Sequence, residues 1–471
     1  GFFNNLGLTS SDKEEEPASE TTPAAVPEIS DEATSSEGAT ASRAFGFGGL
    51  ELPSIFDGFS FSEKFKNIPK LIEDLGSSLT ADADNIKDKV VEFLTSSGYL
   101  QGDGDLSVLL GSNSYAWSGH GNDITAFLGM NNNAWGGKGD DVTYSIGDNN
   151  IVSGNDGDDL AVLMGLSNTF FGGADDDTAL AAGRGSYLYG ERGNDRLAVF
   201  GEHGWLDGGE GNDYLLATGN HHVAKGGSGD DTAVLMGGYN YFYGGEDNDS
   251  SYILGNRNTV DGESGNDKLH LSGYLSEISG GLGNDYIFAD AVSKDSVLSG
   301  GEDADTIVVG GLHNEFYGNS GNDVFVVSTE SIESIVKDIE ANDFILFDTL
   351  SFEDIWFDQK DSDLVIHVNR DVEGDTAQEN YEKYGAVTFE NYFEDDKQAE
   401  IVVNYDNKDG EGGYTALTQT ALNQLIQTMS SLVPGNGDSF YSELAEKDQR
   451  VLLGAWSGVE KKSEGLTIVN A

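Results

Sequence analysis

The sequence contains no cysteine and little positive charge. Its 471 residues include 25 Lys and Arg against 83 Asp and Glu, which gives a formal net charge of −58. Without cysteine the chain has no disulfide and no thiolate ligand for a metal. A chain this acidic repels nucleic acid and anionic lipid, so nucleic acid is excluded as a partner. These two absences suit an extracellular protein whose folding does not depend on oxidation.

Long apolar runs and catalytic motifs are also missing. No run of 18 apolar residues occurs, so no transmembrane segment is expected. HExxH, G-x-S-x-G and P-loop patterns are absent and the 7 histidines are scattered, so we predict that the chain is not an enzyme. The chain opens at Gly1 without Met or a visible signal peptide, which indicates a fragment of a longer protein.

What the chain has in abundance is glycine, in a phrase that returns at a fixed interval. Residues 208–213 (GGEGND), 226–231 (GGSGDD) and 280–285 (GGLGND) show it well. The closing Asp recurs every 18 residues, except for one interval of 20 residues before Asp305. This period predicts a solenoid with one coil per repeat. The closing aspartates are Asp105, Asp123, Asp141, Asp159, Asp177, Asp195, Asp213, Asp231, Asp249, Asp267, Asp285, Asp305 and Asp323.

The chemistry of the phrase points to a hard cation. Glycines let the backbone turn tightly with its carbonyls facing one point, and the closing Asp adds a carboxylate there. An all-oxygen site without His or Cys favours Ca²⁺ over zinc or copper, and over Mg²⁺, which requires a stricter octahedron. The candidate ligands are the thirteen aspartates and the turn glycines Gly119, Gly121, Gly137, Gly139, Gly157, Gly193, Gly209, Gly211, Gly227, Gly229, Gly245, Gly265, Gly281, Gly283 and Gly321.

Residues 102–323 resemble the repeats-in-toxin (RTX) family, whose nonapeptide reads GGxGxDxUx. The resemblance implies an all-β fold, a parallel β-roll or β-solenoid that binds Ca²⁺ between successive turns. Only every second nine-residue unit carries the Asp here; the alternate units read Gly-x-Asn or similar, as at 111–113 and 129–131. We therefore infer 18-residue coils with calcium turns along one edge and a calcium-free edge opposite. Thirteen turns allow at most about twelve shared Ca²⁺ sites.

Some turns depart from the phrase. Asp103, Asp175, Asp247 and Asp303 replace its fourth-position glycine, and Asn155, Glu191, Glu263 and Asn319 replace its second. We expect weaker or distorted sites there. The alternative without metal is a glycine-rich solenoid whose acids are merely solvated, but solvation does not require an acid at the same position in each repeat.

Composition divides the chain into five segments. The Ala, Thr, Ser, Pro and Glu composition of residues 1–50 predicts a linker. The apolar spacing of residues 51–98 predicts helices that cap the first coil, with a membrane-surface helix as the alternative. The last resembles the C-terminal signal of type I secretion, with a terminal strand as the alternative. The segments are 1–50, a disordered acidic linker; 51–98, a helical cap; 99–323, the calcium-binding β-roll; 324–410, a C-terminal β cap; and 411–471, a helical type I secretion signal region, with helices at 415–430 and 441–454.

Two patterns within the coils stay open. Apolar residues lie two positions after the Asp in later coils, such as Leu197, but at one, three and five in earlier ones, such as Leu160. This spacing predicts that the apolar face switches along the roll, either because the solenoid is tolerant or because another segment covers its outer face. Aromatic residues recur twelve positions after the Asp, as a stacked ladder or as a carbohydrate-binding strip. They are Trp117, Trp135, Phe171, Tyr189, Tyr243 and Tyr317.

The function predicted from the sequence is that of a secretion and folding module. The chain would leave the cell unfolded through a type I secretion apparatus, bind Ca²⁺ outside and fold from its C-terminal cap. The repeats most resemble those of multifunctional-autoprocessing RTX (MARTX) toxins, which implies a secreted protein, extracellular or at the host-cell surface, with the target-cell surface as a partner. The alternatives are the C-terminal region of an RTX adhesin that binds a glycan or surface protein, and an RTX lipase or protease whose catalytic domain lies upstream.

Overall fold

The computed structural model describes residues 106–347, 350, 354–369, 384–394, 397–405, 413–430 and 460–461. The linker over 1–50, the helical cap over 51–98, the helix over 441–454 and the first aspartate, Asp105, lie outside the described residues, and so does Asp103.

Each coil of the described repeat contributes two short strands, one after each turn. β-branched and apolar residues follow the closing Asp, as expected for strands between glycine turns. The strands that follow the Asp turn form a first sheet: β1 Leu106–Leu110, β3 Ile124–Leu128, β5 Val142–Ile146, β7 Leu160–Met164, β9 Thr178–Arg184, β11 Arg196–Glu202, β13 Tyr214–Asn220, β15 Thr232–Gly238, β17 Ser250–Asn256, β19 Lys268–Tyr274, β21 Tyr286–Ala289, β23 Thr306–Leu312, β25 Val324–Ile332 and β27 Phe344–Phe347.

The strands that follow the opposite turn form the second sheet. They are β2 Tyr115–His120, β4 Asn133–Lys138, β6 Ile151–Asp156, β8 Thr169–Ala174, β10 Tyr187–Arg192, β12 Trp205–Glu210, β14 Val223–Ser228, β16 Tyr241–Glu246, β18 Thr259–Ser264, β20 Glu277–Leu282, β22 Val297–Glu302, β24 Glu315–Ser320 and β26 Ser334–Val336. Successive strands within each sheet pair in parallel with a register of one repeat, for example Leu197 with Leu215 and Leu206 with Ala224. The predicted parallel β-solenoid is confirmed.

The interior of the solenoid is built from the same positions throughout. In the first sheet the residues two and four after the Asp face inward, such as Leu197 and Val199, and in the second sheet the residue eleven after it does so, such as Leu206. The expected switch of the inward face is wrong. Earlier coils keep the same register and bury Thr125 and Ser145 inside, because the in-register pairing of β3 with β5 fixes which face of each strand points inward.

The outer face of the first sheet is also buried in the early coils. Ile124, Val142 and Leu160 form a second cluster with Tyr144 and Val162, and each of them is at most 5% exposed. The outward positions of these coils are therefore apolar and buried, whereas the inward ones include Thr125 and Ser145. The second interpretation of the sequence, that another segment covers the outward face, stays a prediction. The segment expected to cover them, residues 51–98, is outside the described residues.

Beyond the repeat the two sheets continue and then reverse. The first sheet adds β31 (Glu400–Tyr405) in parallel and then β32 (Gly413–Leu417) and β33 (Glu460–Lys461) in antiparallel order. The second adds β30 (Tyr384–Phe389) in parallel and then β29 (Asp363–Asn369) and β28 (Ile355–Lys360) in antiparallel order. Antiparallel hairpins thus close the solenoid end, which would otherwise present free strand edges.

A single helix is described, α1 (Gln419–Met429), capped by the Thr418 side chain, which accepts from the Ala421 N–H. It buries Leu422 and Leu425 among other residues of its apolar face. The predicted helix at 415–430 starts later than expected, because residues 413–417 pair with β31 as a strand. Within the described residues, no helix is long and apolar enough to cross a membrane.

Candidate metal-binding edge

The closing aspartates stand one above another along one edge of the solenoid. The backbone N–H of each donates to Oδ1 of the Asp in the next coil, as from Asp213 to Asp231 at 2.6 Å and from Asp231 to Asp249 at 2.8 Å. These side chains are buried, with exposures of 0–4% from Asp123 to Asp323. The sequence-predicted aspartates are therefore brought together, with one oxygen of each carboxylate fixed by the backbone below it.

The second carboxylate oxygen has a different environment. Oδ2 of Asp231 and the carbonyl oxygen of Gly244 in the next coil both lie against Gly226, 2.2 and 2.4 Å from the place that a Cβ on this glycine would take. Buried oxygen thus faces buried oxygen, an arrangement that is costly unless a proton or a cation lies between them. Oδ2 is buried without a hydrogen-bond partner in Asp141, Asp159, Asp177, Asp195, Asp213, Asp231, Asp249, Asp267, Asp285, Asp305 and Asp323.

Burial changes the acidity of these groups. Desolvation, opposed by the hydrogen bond from the previous coil, raises the pKa of Asp231 to about 7. For Asp177 desolvation and the neighbouring charge of Asp159 raise the pKa to about 10, and for Asp305 desolvation is again the main cause of a rise to about 9. A metal-free edge would therefore hold protons near neutral pH, in positions where a divalent cation would supply the missing positive charge.

The remaining ligands of such a cation would be backbone carbonyls. Among the described residues, no group of three or more His, Asp or Glu side chains is placed to hold an ion by itself. The turns have the required shape, because the second and fourth positions take positive φ, as at Gly227 (126°) and Gly229 (115°). All the predicted glycines from Gly119 to Gly283 share this conformation. Carboxylate and carbonyl oxygens are the ligands that Ca²⁺ prefers.

The turns that depart from the phrase keep the same conformation. Asp175 and Asp247 at the fourth position have φ of 77° and 75°, and Glu191 and Glu263 at the second have 76° and 70°. These values are unfavourable for residues with a Cβ, each costing on the order of 1 kcal/mol or more. The coils thus keep their turn shape at these positions despite the backbone strain, and the expectation that their sites are weaker stays a prediction.

Two sets of residues were missed from the sequence. The first-position glycines, from Gly136 to Gly318, lie against Oδ2 of their own coil's Asp, and the glycine-first phrase itself was the signal. Asp343 continues the ladder, because it accepts from the Asp323 N–H at 3.1 Å. Its Oδ2 accepts from the Glu340 N–H at 2.7 Å, so this aspartate ends the row with both oxygens bonded. The Asn342-Asp343 pair was its only signal, since the glycines are absent there.

Substituting a first-position glycine should disrupt one site and little else. A methyl group at Gly226 would overlap Oδ2 of Asp231 and the Gly244 carbonyl. We expect Gly226→Ala to lower the free energy of unfolding in Ca²⁺ by about 1–3 kcal/mol, the usual cost of overpacking. Urea denaturation measures this, with Ser228→Ala in the same turn as the control. Equal unfolding midpoints for the two variants would contradict the close approach.

The opposite edge carries a neutral ladder in the equivalent place. The Asn240 N–H donates to Oδ1 of Asn258 at 2.9 Å, as the aspartates do on the acidic edge. Its Nδ2, however, donates to the Gly219 carbonyl at 3.2 Å. The amide therefore has a hydrogen-bond donor at the position where an ionised aspartate has only the acceptor Oδ2. The buried residues of this edge are Asn132, Asn150, Asn168, Ser186, His222, Asn240, Asn258, Ser276, Ser296 and Asn314. Nδ2 of Asn150, Asn240, Asn258 and Asn314 donates to an acceptor within the protein, whereas Nδ2 of Asn132 and Asn168 and Oγ of Ser186 have no hydrogen-bond partner. These amide and hydroxyl groups are neutral, so they present no negative charge for a cation to offset.

Two family models match parts of the solenoid. The model described as "C-terminal repeat from RTX toxins" matches residues 154–171, 208–221, 226–243 and 244–261. The model described as "RTX calcium-binding nonapeptide repeat (4 copies)" matches residues 171–198, 261–291 and 299–327. Both sets of matches fall on coils that carry the aspartate ladder.

Known proteins resemble the chain over most of its length. It is 56% identical over 450 residues to a "Multifunctional-autoprocessing repeats-in-toxin" protein of Vibrio vulnificus, covering 91% of this chain and 8% of that protein. It is 60% identical over 432 residues to the protein of the same description from Vibrio cholerae serotype O1, covering 91% of this chain and 9% of that protein. The chain thus spans less than a tenth of these relatives.

A solved structure is also similar to part of the chain. It is a "hyperactive, Ca2+-dependent, beta-helical antifreeze protein from an Antarctic bacterium", 18% identical, with a TM-score of 0.33 over 49% of this chain and 86% of that one.

Proposed function

Because the chain belongs to the repeats-in-toxin family, as a calcium-binding repeat region of the MARTX type, we propose that it is a module that folds on Ca²⁺ outside the cell. It supports type I secretion of a large toxin and its association with the target-cell surface. Each ion would lie between two coils. The carboxylates of the row from Asp105 to Asp323 and the turn carbonyls of the same coils would bind it. About twelve such ions would reduce the formal charge from −58 to about −34.

One observation carries this proposal. A row of eleven buried Oδ2 atoms, from Asp141 to Asp323, has no donor, whereas the equivalent row of the opposite edge contains amide nitrogens that donate. A chain that needed only a stacked edge could use Asn on both sides, as it does on one. Carboxylates at a buried edge are favoured only when a cation neutralises them.

The same chemistry gives the secretion step a direction. Metal binding contributes folding free energy where no site exists in the unfolded chain. At the low Ca²⁺ concentration of the cytosol the stacked acids repel one another, so the chain remains unfolded and can thread through a secretion channel. Outside, Ca²⁺ binding folds the solenoid onto its C-terminal cap, and a folded solenoid cannot slide back.

Deleting residues 415–471 should abolish export. This segment resembles a type I secretion signal, so we expect the secreted amount of the truncated chain to fall at least roughly tenfold in a strain with a type I apparatus, as judged by immunoblotting of the medium. The control lacks residues 1–50, a stretch of similar length, and should be exported as the intact chain is. Undiminished export of the C-terminal truncation would remove the secretion role while leaving Ca²⁺ binding untouched.

A further inference from the structure

The outward face of the second sheet contains a groove of about 640 Å³, which borders the calcium-binding edge at Gly227, Gly244 and Gly245. Its lining residues come from four neighbouring coils, on strands β12, β14, β16 and β18. In one row the register places Trp205 beside Val223 and Val223 beside Tyr241, and in the next row Asp207 beside Lys225 and Lys225 beside Tyr243. Large rings thus stand two coils apart, on either side of a smaller valine.

This spacing differs from that in the neighbouring row of aromatic residues, which lie twelve positions after the Asp. In that row Phe171 and Tyr189 occupy adjacent coils and stack on each other at 5.1 Å, so one face of each ring is covered. Trp205 and Tyr241 are separated by a whole coil, about 9.6 Å at two strand spacings. Tyr241 remains 43% exposed. A flat molecule can therefore enter between these two rings, above Val223.

The polar end of the groove is equally specific. The Lys225 ammonium lies 5.2 Å from the Trp205 ring centre and 5.9 Å from that of Tyr243, so it is held by two aromatic faces. The carboxylates of Asp207 and Glu263 line the same groove. Aromatic faces with donors and acceptors at one end match a molecule that has apolar C–H faces and a rim of hydroxyl groups.

We propose that this groove binds a neutral oligosaccharide. A pyranose ring lies between Trp205 and Tyr241 and packs one C–H face on each of these rings. Its hydroxyl groups donate to Asp207 and Glu263 and accept from Lys225. Sialylated and sulfated sugars are disfavoured, because two acidic residues and only one lysine line the groove and the whole chain is strongly acidic. This site gives the proposed association with the target-cell surface a ligand class, and it rests on that proposed function, since the groove exists only when the coils are stacked.

The test uses the full chain, fluorescently labelled, in millimolar Ca²⁺ on an array of oligosaccharides that end in galactose, mannose or N-acetylglucosamine, with sialylated and sulfated counterparts. We expect at least one neutral class to retain the chain. Trp205→Ala and Tyr241→Ala should each lower its affinity roughly tenfold or more, since stacking on a ring contributes on the order of 1 kcal/mol or more. Tyr187→Ala is the matched control, because Tyr187 lies beside Trp205 in the same row, is 44% exposed and does not line the groove.

Circular dichroism during Ca²⁺ titration is recorded for every variant, so that loss of binding is scored only in folded protein. A chain that folds on Ca²⁺ and retains no neutral sugar would overturn the glycan inference and leave the proposed function standing. Retention of sialylated or sulfated sugars alone, or an equal loss in Tyr187→Ala, would overturn it as well. A chain that binds a neutral sugar with no structural response to Ca²⁺ would support the groove and refute the folding proposal.

Discussion

Chelating calcium with EGTA at pH 7.4 should convert the strand-rich solenoid into a largely disordered chain. Eleven carboxylates from Asp141 to Asp323 are stacked in a buried row, and their Oδ2 atoms have no donor. Burial raises the pKa of every one of them, as to about 8 for Asp213 and about 8 for Asp285. Without a cation the chain must either take up protons or release this row to water, and unfolding does the latter.

Far-UV circular dichroism and the hydrodynamic radius measure this transition. We expect most of the strand signal to disappear with EGTA, to return on adding Ca²⁺, and to return poorly with Mg²⁺, which dehydrates reluctantly. Sodium chloride at the same ionic strength is the control, because screening alone would relieve repulsion without filling the sites. A metal-free chain that remains equally compact and strand-rich would refute the proposed role of the edge.

The metal-free chain should respond to pH in the opposite sense to most proteins. The folded-state pKa values of these carboxyls are raised, to about 6 for Asp323 and about 9 for Asp305, so the fold binds more protons than the unfolded chain. Its stability is then fully present below the unfolded pKa of about 4 and is lost as the pH rises through the folded values. EGTA-treated protein should therefore regain strand signal on acidification, whereas the calcium-loaded protein should lose Ca²⁺ there.

Placing a carboxylate in the neutral ladder should be strongly destabilising. Asn240 is fully buried, and its Nδ2 donates to the Gly219 carbonyl. Asn240→Asp replaces that donor by an oxygen facing another oxygen, in an edge whose turns lack the Gly-Gly-x-Gly phrase. We expect the free energy of unfolding in saturating Ca²⁺ to fall by about 3–5 kcal/mol, the cost of an unpaired buried charge, as measured by urea denaturation.

The reverse substitution on the acidic edge is the matched control. Asp231→Asn replaces the carboxylate by an amide, the group that the opposite edge carries at the equivalent position. The new Nδ2 would donate towards the Gly244 carbonyl. We expect about one or two fewer bound Ca²⁺ by calorimetric titration, with a smaller loss of stability than in Asn240→Asp. If Asn240→Asp gained an ion and kept its stability, the two edges would be interchangeable and the assignment of calcium to one of them would fail.

Much of the site could be predicted because its residues recur at one fixed interval. Asp231 and Asp249 are 18 residues apart, so a parallel register of one repeat places them together without further information. The glycines at the second and fourth positions could be predicted for a local reason, since only a residue without a Cβ takes φ near 120° at low cost. The cap strands, such as Phe344–Phe347, could be predicted from a different local feature, their apolar runs.

Other features depended on contacts that the spacing does not describe. Asp343 follows a coil without glycines, and only its hydrogen bond from Asp323 shows that it ends the row. The predicted switch of the inward face in the early coils was wrong, because alternation shows only which face of a strand is apolar, and the outward face of these strands is apolar and buried. Residues 415–417 were expected to begin a helix, but pairing with β31 outweighs their helical pattern.

The sequence by itself determined the solenoid, its period and the hard-oxygen chemistry of one edge, because a repeat imposes the same local conformation and the same neighbours on every coil. Only the tertiary structure decided which carboxylate oxygen is bonded and which is not, that the opposite edge uses amide donors in its place, and that Trp205 and Tyr241 stand apart as the walls of a groove. These depend on the direction in which a side chain points across to the next coil, and a one-dimensional spacing carries no information about that direction.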